Sequence, residues 1–268
     1  MSDLLRPLTR AHGTLVRYLL QHKKTRLTEG AFVMEGAHAC CDLIRTSPDQ
    51  ILSLTVSARY LQLEDAGSYA ARNALRVAQY SCSDEAFDKL SDVDVPQGIL
   101  AVVRLPTWNE REVLAQARVL GVYGERLQDP TNVGTIIRTA AGLGLSGVWL
   151  SPDSVDCFHP KVVRGTAGAV LALPVFQGAG LAALSAFGCA LYAAVVSSPE
   201  ACDLQRMTAV APRAIIVVGN ESQGLCPASI AASSYRYSVP LARDIDSLNV
   251  AVTAAISAYY FSHLPIAP

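Results

Sequence analysis

Disulfide and zinc signatures are missing from this sequence of 268 residues: its seven cysteines are odd in number, and none stands in a Cys-x-x-Cys pair. Neither a disulfide framework nor a zinc site is therefore indicated. Charge of one sign is also missing, because 22 lysines and arginines against 23 aspartates and glutamates leave a formal net charge of −1. No whole-molecule attraction to a polyanion follows, and contact with nucleic acid has to come from local patches. An apolar leader is absent too. The start, Met-Ser-Asp-Leu-Leu-Arg-Pro, has no apolar core followed by a cleavage site, which predicts a cytoplasmic protein. Between Gly165 and Pro199 there is no charged residue, but Pro174, Gly178, Gly180 and Gly188 cut the segment into short pieces. None of them spans the roughly 30 Å of a bilayer core, so the expected reading is buried strand, helix and strand, with no membrane association.

What is present is a large apolar fraction, 51%, in a chain long enough for one large domain or two small ones. Basic residues gather at the N-terminus, where Arg6, Arg10, Arg17, Lys23, Lys24 and Arg26 outnumber Asp3 and Glu29. Charge alone reads this run as a solvated helix face or as a polyanion patch.

Residues 5 to 22 have a helical pattern, followed by apolar runs at Phe32–Met34 and Ile51–Val56 around a helix at Ala37–Arg45, and a further run at Gly98–Val103. The polar, proline-broken stretch from Leu105 to Glu112 then reads as a linker. The expected division is 1–105, a linker at 106–118, and 119–268. In the last part, strands at Val119–Tyr123, Val148–Leu150, Leu191–Val196, Ile215–Val218 and Tyr237–Val239 alternate with helices at Asn132–Leu143, Pro160–Ala169 and Leu248–Phe261. This alternation predicts an α/β domain with a mainly parallel sheet covered on both faces, binding its ligand at the carboxyl ends of the strands.

Gly142-Leu-Gly-Leu-Ser-Gly147 matches the dinucleotide fingerprint G-x-G-x-x-G, but it follows a helix and leads into a strand, which reverses the order that chemistry needs. It is read as a helix stop. Three other loops carry more. In Asp129-Pro-Thr-Asn132-Val-Gly134, Asn132 is placed to cap the next helix, and Arg138 lies about a turn and a half further on. An arginine in so apolar a helix needs a partner, either a structural ion pair or a phosphate or carboxylate ligand. Gly219-Asn220-Glu221-Ser222-Gln223-Gly224 directly follows a buried strand, and reads either as a tight turn or as a ligand loop with a carboxylate at the strand's end. Val239 to Val250 brings Pro240 and Ser247-Leu248-Asn249 to the start of the final helix, where backbone amides and two small polar side chains converge.

In order and spacing, Asn132-x-Gly134-x-x-x-Arg138, Gly219-Asn220-Glu221-x-x-Gly224 and Pro240 with Ser247-Leu248-Asn249-Val250 resemble the three motifs of the SpoU (TrmH-like) RNA ribose 2'-O-methyltransferases. Arg26-x-x-x-Gly30-x-Phe32-x-x-Glu35-Gly36 and Pro96-Gln-Gly-Ile-Leu-Ala101 resemble the small substrate-binding domain, of ribosomal protein L30 type, found in rRNA-modifying members. The likeness spans nearly the whole chain.

The resemblance implies a C-terminal trefoil knot holding S-adenosylmethionine as methyl donor, and an obligate homodimer. It implies donor contacts from Gly219, Asn220, Gly224, Val239, Leu241, Leu248 and Asn249. Arg138, Asn132, Glu221, Ser247 and Asn249 become the catalytic group, with Arg138 acting across the dimer interface. Lys23, Lys24, Arg26, Lys161 and Arg164 become RNA contacts, and the N-terminal domain points to rRNA. Methyl transfer from a sulfonium to a ribose hydroxyl needs no metal, consistent with the absence of metal-ligand spacing. Departures from the family pattern stand at Ser222 and Arg243, where glycine is usual, and at Leu241, where methionine is usual. Arg243 is the sharpest, because a glycine required for φ > 0 does not yield freely to arginine; Asp244 and Asp246 are its possible partners. A knotted enzyme that methylates a base, or a non-catalytic RNA-binding factor of the same fold, are the alternatives.

Overall fold

Branched and aromatic residues bounded by turn formers set the strands of this protein, and the computed structural model describes residues 5–243 and 245–267. The first part of the chain forms β1 (Leu5–Pro7), α1 (Arg10–Gln21), α2 (Lys23–Glu29), β2 (Ala31–Glu35), α3 (Ala37–Thr46) and β3 (Ile51–Ser57). It continues with α4 (Ala58–Leu63), α5 (Ala66–Ala74), β4 (Ala78–Cys82), α6 (Asp84–Asp88) and β5 (Ile99–Arg104). Its five strands lie in the order β1-β4-β3-β5-β2, with β5 antiparallel to both neighbours. Val16, Leu19 and Leu20 of α1 close one face over Val33, Leu100 and Val102.

The rest of the chain gives α7 (Glu110–Leu114), β6 (Val119–Gly124), α8 (Pro130–Gly142), β7 (Gly147–Leu150), α9 (Pro160–Thr166) and β8 (Val175–Gln177). Then follow α10 (Leu181–Ala186), β9 (Ala190–Ala194), β10 (Cys202–Asp203), β11 (Arg213–Val218), α11 (Pro227–Ala232), β12 (Tyr235–Ser238) and α12 (Val250–Ser262). Seven strands form one sheet in the order β10-β12-β9-β11-β6-β7-β8, and every pairing in it is parallel. The uncharged segment 165–199 supplies β8, α10 and β9, the strand, helix and strand expected of it. Among the described residues no helix is long and apolar enough to cross a membrane.

Two compact units result, one of Met1–Pro106 with Phe158–Gly168, the other of Thr107–Cys157 with Ala169–Pro268. They do not follow chain order as expected. Residues 158–168 pack within the first unit, where Phe158 meets Phe32 at 5.0 Å between ring centroids. Nor is 106–118 a free linker. Val113 and Leu114 enter the core of the second unit, and Glu110 accepts a 2.8 Å hydrogen bond from the indole of Trp149.

Arg26 requires a correction. Instead of facing solvent for RNA, it is buried and donates to the carbonyls of Leu19 (2.6 Å) and Leu20 (3.2 Å). The last turn of α1 leaves its carbonyls without intrahelical donors, and this guanidinium supplies them. Lys23 and Lys24 of α2 are exposed. Lys161 is exposed on α9, whereas Arg164 is ion-paired with Asp92 at 2.6 Å.

Candidate active site

The carboxyl ends of β9, β11 and β12 open into a cavity of about 890 Å³. Its walls include Gly219 to Gly224 after β11 and Val239 to Leu241 with Ile245 to Val250 after β12. That volume is within the range of sites for drug-sized or cofactor-sized molecules.

Gly219 shapes one wall. A Cβ there would lie 2.2 Å from the backbone carbon of Gly224 and 2.3 Å from the amide nitrogen of Leu225, so only glycine lets the 219–224 turn close on itself. Asn220 and Gly224 exchange backbone hydrogen bonds at 3.1 and 2.9 Å. The Asn220 side chain accepts from the amides of Ser222 and Gln223, each at 3.0 Å. Ser222 stays in ordinary backbone space and adds its own hydroxyl bond to Asn220 at 2.9 Å, so its replacement of glycine is locally accommodated.

The turn presents Glu221. Its carboxylate accepts from the amides of Asp129 (3.2 Å) and Gln128 (3.4 Å) and from Nδ2 of Asn132 (3.1 Å). Burial pushes this carboxyl up, but the bonds from Asn132 and from the amides of Glu221 itself, Asp129 and Gln128 outweigh it, and the net shift is below the ordinary value. Glu221 is thus held as an anion, an anchor and a weak base.

Asn132 does not cap its helix, contrary to the sequence expectation. Asp129 is the cap, accepting from the amide of Thr131 at 2.8 Å, and Pro130 occupies the first turn. Proline's fixed φ suits the first helical position, so α8 begins earlier and Asn132 falls inside it, its side chain free for other work. Its Oδ1 accepts from Nδ2 of Asn249 at 2.9 Å. Asn249 in turn caps α12, its Oδ1 accepting from the amides of Ala251 (2.9 Å) and Val252 (3.3 Å). A continuous chain therefore runs from Glu221 through Asn132 and Asn249 to the start of α12.

Ser247 and Leu248 line the cavity beside this chain, as do Val239 and Leu241. Arg138 stands apart. It is exposed on α8, does not line the cavity, and makes no ion pair among the described residues, so the structural partner that an apolar helix seemed to demand is not there. Arg243 adopts φ 62, the left-handed conformation that glycine takes without cost, and forms no ion pair with Asp246. Asp244 lies outside the described residues. The Gly142–Gly147 stretch is a helix stop, with Gly144 at φ 68 just after α8.

The SpoU rRNA Methylase family matches residues 120–259, and the MRM3-like substrate binding domain matches residues 16–101. The chain belongs to the SpoU rRNA methylase family. This SpoU methylase is 32% identical over 264 residues to an uncharacterized tRNA/rRNA methyltransferase of Synechocystis, covering 94% of this chain and 92% of that one. It is 30% identical to the 23S rRNA (guanosine(2553)-2'-O)-methyltransferase RlmP of Bacillus subtilis, covering 90% of this chain and 92% of RlmP. Among solved structures, an RNA methyltransferase of the TrmH family from Porphyromonas gingivalis superposes with a TM-score of 0.78 at 27% identity, over 96% of this chain and 98% of that one. The AdoMet-bound rRNA methyltransferase from Sinorhizobium meliloti shares the fold with a TM-score of 0.79 at 24% identity, over 96% and 97% of the two chains.

Two site features of this SpoU methylase escaped sequence reading. Asp129 as the cap was signalled by Pro130, since proline favours the first helical turn. Arg126, at φ 54 beside the 219–224 turn, carries no motif signal.

Proposed function

We propose that this protein transfers the methyl group of S-adenosylmethionine to a ribose 2'-hydroxyl of RNA, with rRNA as the substrate class. The observation that carries the reading is the Glu221–Asn132–Asn249 chain at the mouth of a cavity built by the two loops that bear the second and third family motifs. Those residues fit the donor. Glu221 offers fixed negative charge toward a sulfonium, and Gly219 keeps the wall free of side chain. When bound, the donor supplies an electrophilic methyl group with a neutral leaving group.

The chain's own residues then align the nucleophile. A ribose hydroxyl is a weak nucleophile, and its alignment with the methyl group is the largest contribution available without a strong base. Glu221, stabilised as an anion, is assigned to anchoring Asn132 and the donor loop. Arg138 cannot act as a base, because its guanidinium stays protonated; it clamps the neighbouring RNA phosphate and stabilises developing negative charge, while the hydroxyl proton passes to that phosphate or to Glu221. Ser247 orients the ribose from the cavity wall. RNA is specified because only RNA carries the 2'-hydroxyl, and Lys23, Lys24 and Lys161 are retained as phosphate contacts.

The active form in this reading is a cytoplasmic homodimer with the C-terminal segment threaded as a trefoil knot. α12 is apolar all round: Ala251, Ala254, Ala258 and Phe261 are buried, while Val252, Ile256 and Tyr259 remain exposed along one stripe. Such a stripe fits a second copy of the chain, and Arg138 on neighbouring α8 would then serve the partner's site. The test is methyl transfer from labelled S-adenosylmethionine to unmodified ribosomal RNA. Incorporation is expected with the native protein, and absence of incorporation into any RNA overturns the reading.

A further inference from the structure

Arg126 follows β6 and adopts φ 54, which costs a side-chain-bearing residue energy that glycine would not spend. An arginine kept there needs compensating contacts, and its backbone and side chain both make them. Its amide donates to Ser151 Oγ at 2.8 Å, and its carbonyl accepts from Asn220 Nδ2 at 2.8 Å. Its guanidinium donates to Gln223 Oε1 at 3.0 Å and to the carbonyl of Gly224 at 3.2 Å. Its Nε also lies 3.2 Å from Oε1 of Glu125, a buried carboxylate that accepts from the amide of Cys226 at 3.1 Å.

Both ends of the 219–224 turn are therefore tied to a single residue: the first through Asn220 to the Arg126 carbonyl, the second through Gln223 and Gly224 to the guanidinium. Between those ties stands Glu221, whose carboxylate must meet the amides of Gln128 and Asp129 and the side chain of Asn132 together. Without the guanidinium, the Asn220 tie to the carbonyl of residue 126 and the bonds of Glu221 remain, but the Gln223–Gly224 end, which forms part of the cavity wall, keeps only the internal bonds of the turn and is free to open.

We infer that Arg126 is a positioning residue of the methyl-transfer site, clasping the 219–224 turn against the loop after β6 so that Glu221, and through it Asn132 and Asn249, are held for reaction. The inference rests on the proposed function for its catalytic consequence, but not for its structural one.

The decisive variant is Arg126→Gly in the full chain, because glycine relieves the left-handed backbone while removing the guanidinium. A melting temperature within about 2 °C of the native protein is expected, the relief offsetting the lost contacts. Amide hydrogen exchange at residues 220–224 should accelerate by about tenfold or more. Turnover should fall by at least about tenfold, with a smaller change in the KM for S-adenosylmethionine, since misplacement of reacting groups is felt mainly in the chemical step. Arg126→Lys keeps a cation and one donor, and should recover part of both exchange protection and turnover. Native exchange and turnover in Arg126→Gly overturn the inference. So does a fall in melting temperature parallel to the loss of activity with no recovery in Arg126→Lys, which would make the residue merely structural. If the native protein transfers no methyl group at all, the proposed function fails, and the exchange measurement still decides whether Arg126 holds the turn.

Discussion

Asn132 donates its side-chain amide to Glu221 at 3.1 Å across 89 residues of sequence, and this bond joins the first turn of α8 to the turn after β11. The Asn132 carbonyl oxygen is taken up by Asn249, so one amide serves both the 219–224 turn and the start of α12. Neither end of the side chain tolerates exchange of donor for acceptor.

Asn132→Asp is therefore expected to be worse than Asn132→Ala. It sets a second carboxylate against Glu221 and removes the donor, costing about 2–3 kcal/mol and most of the activity. Asn132→Ala should cost about 1–2 kcal/mol, as a lost hydrogen bond to a charged group does. Chemical denaturation of both variants measures the order, and equal stability of the two would show that the bond to Glu221 is not formed.

Arg138 is exposed and has no ion-pair partner among the described residues, so Arg138→Ala should leave melting temperature and donor binding unchanged while abolishing turnover. Mixing it with Asn249→Ala probes the dimer. If Arg138 serves the partner's site, a statistical mixture of the two inactive variants regains about a quarter of native activity, because each heterodimer assembles one intact site. If Arg138 serves its own subunit, the mixture stays inactive.

Arg243→Gly should stabilise the protein by about 1 kcal/mol, since φ 62 is strained for arginine and no ion pair with Asp246 offsets it. Thermal unfolding reads the change. A loss of stability would mean that the arginine side chain makes compensating contacts. Gly219→Ala has the opposite expectation: with backbone 2.2 Å from the new Cβ, the turn must open, and calorimetric binding of S-adenosylmethionine should be lost.

His12 gives a pH dependence. It is buried, stacked on Tyr80 at 4.1 Å and hydrogen-bonded to Thr55 at 3.2 Å, and burial lowers its pKa from the ordinary histidine value. The unfolded chain then binds the proton more readily than the folded one. The contribution is fully present above the unfolded value of about 6.5 and is lost as pH falls below it and through the folded value. Melting temperature should drop between pH 7 and pH 5 more steeply in the native protein than in His12→Gln, and equal slopes would contradict this assignment.

Most of the parallel sheet was legible because its strands are short, continuous apolar runs, as in Ile215–Val218, and its loops carry ordered motifs. In the five-stranded sheet β4 was not, since Ala78-Gln-Tyr-Ser-Cys82 has no such run. Gln79 is buried there only because Arg72, itself buried and paired with Glu64, bonds to it at 3.1 Å, a tertiary arrangement with no local signature. For the same reason Arg26 looked like an RNA contact: a sequence shows the charge of an arginine but not the helix carbonyls it turns inward to satisfy. In the candidate site, the motifs named Asn132, Glu221 and Asn249, which the structure brings together, whereas the link from Asn132 to Asn249 depends on where Pro130 starts the helix.

The most direct test of ribose methylation is to incubate the protein with isotopically labelled S-adenosylmethionine and unmodified total RNA, digest with alkali, and analyse the products by mass spectrometry. A 2'-O-methyl group blocks cleavage of the adjacent phosphodiester, so the label should appear in an alkali-resistant dinucleotide from ribosomal RNA. Label recovered in mononucleotides bearing a methylated base, or no label in RNA at all, would contradict the account.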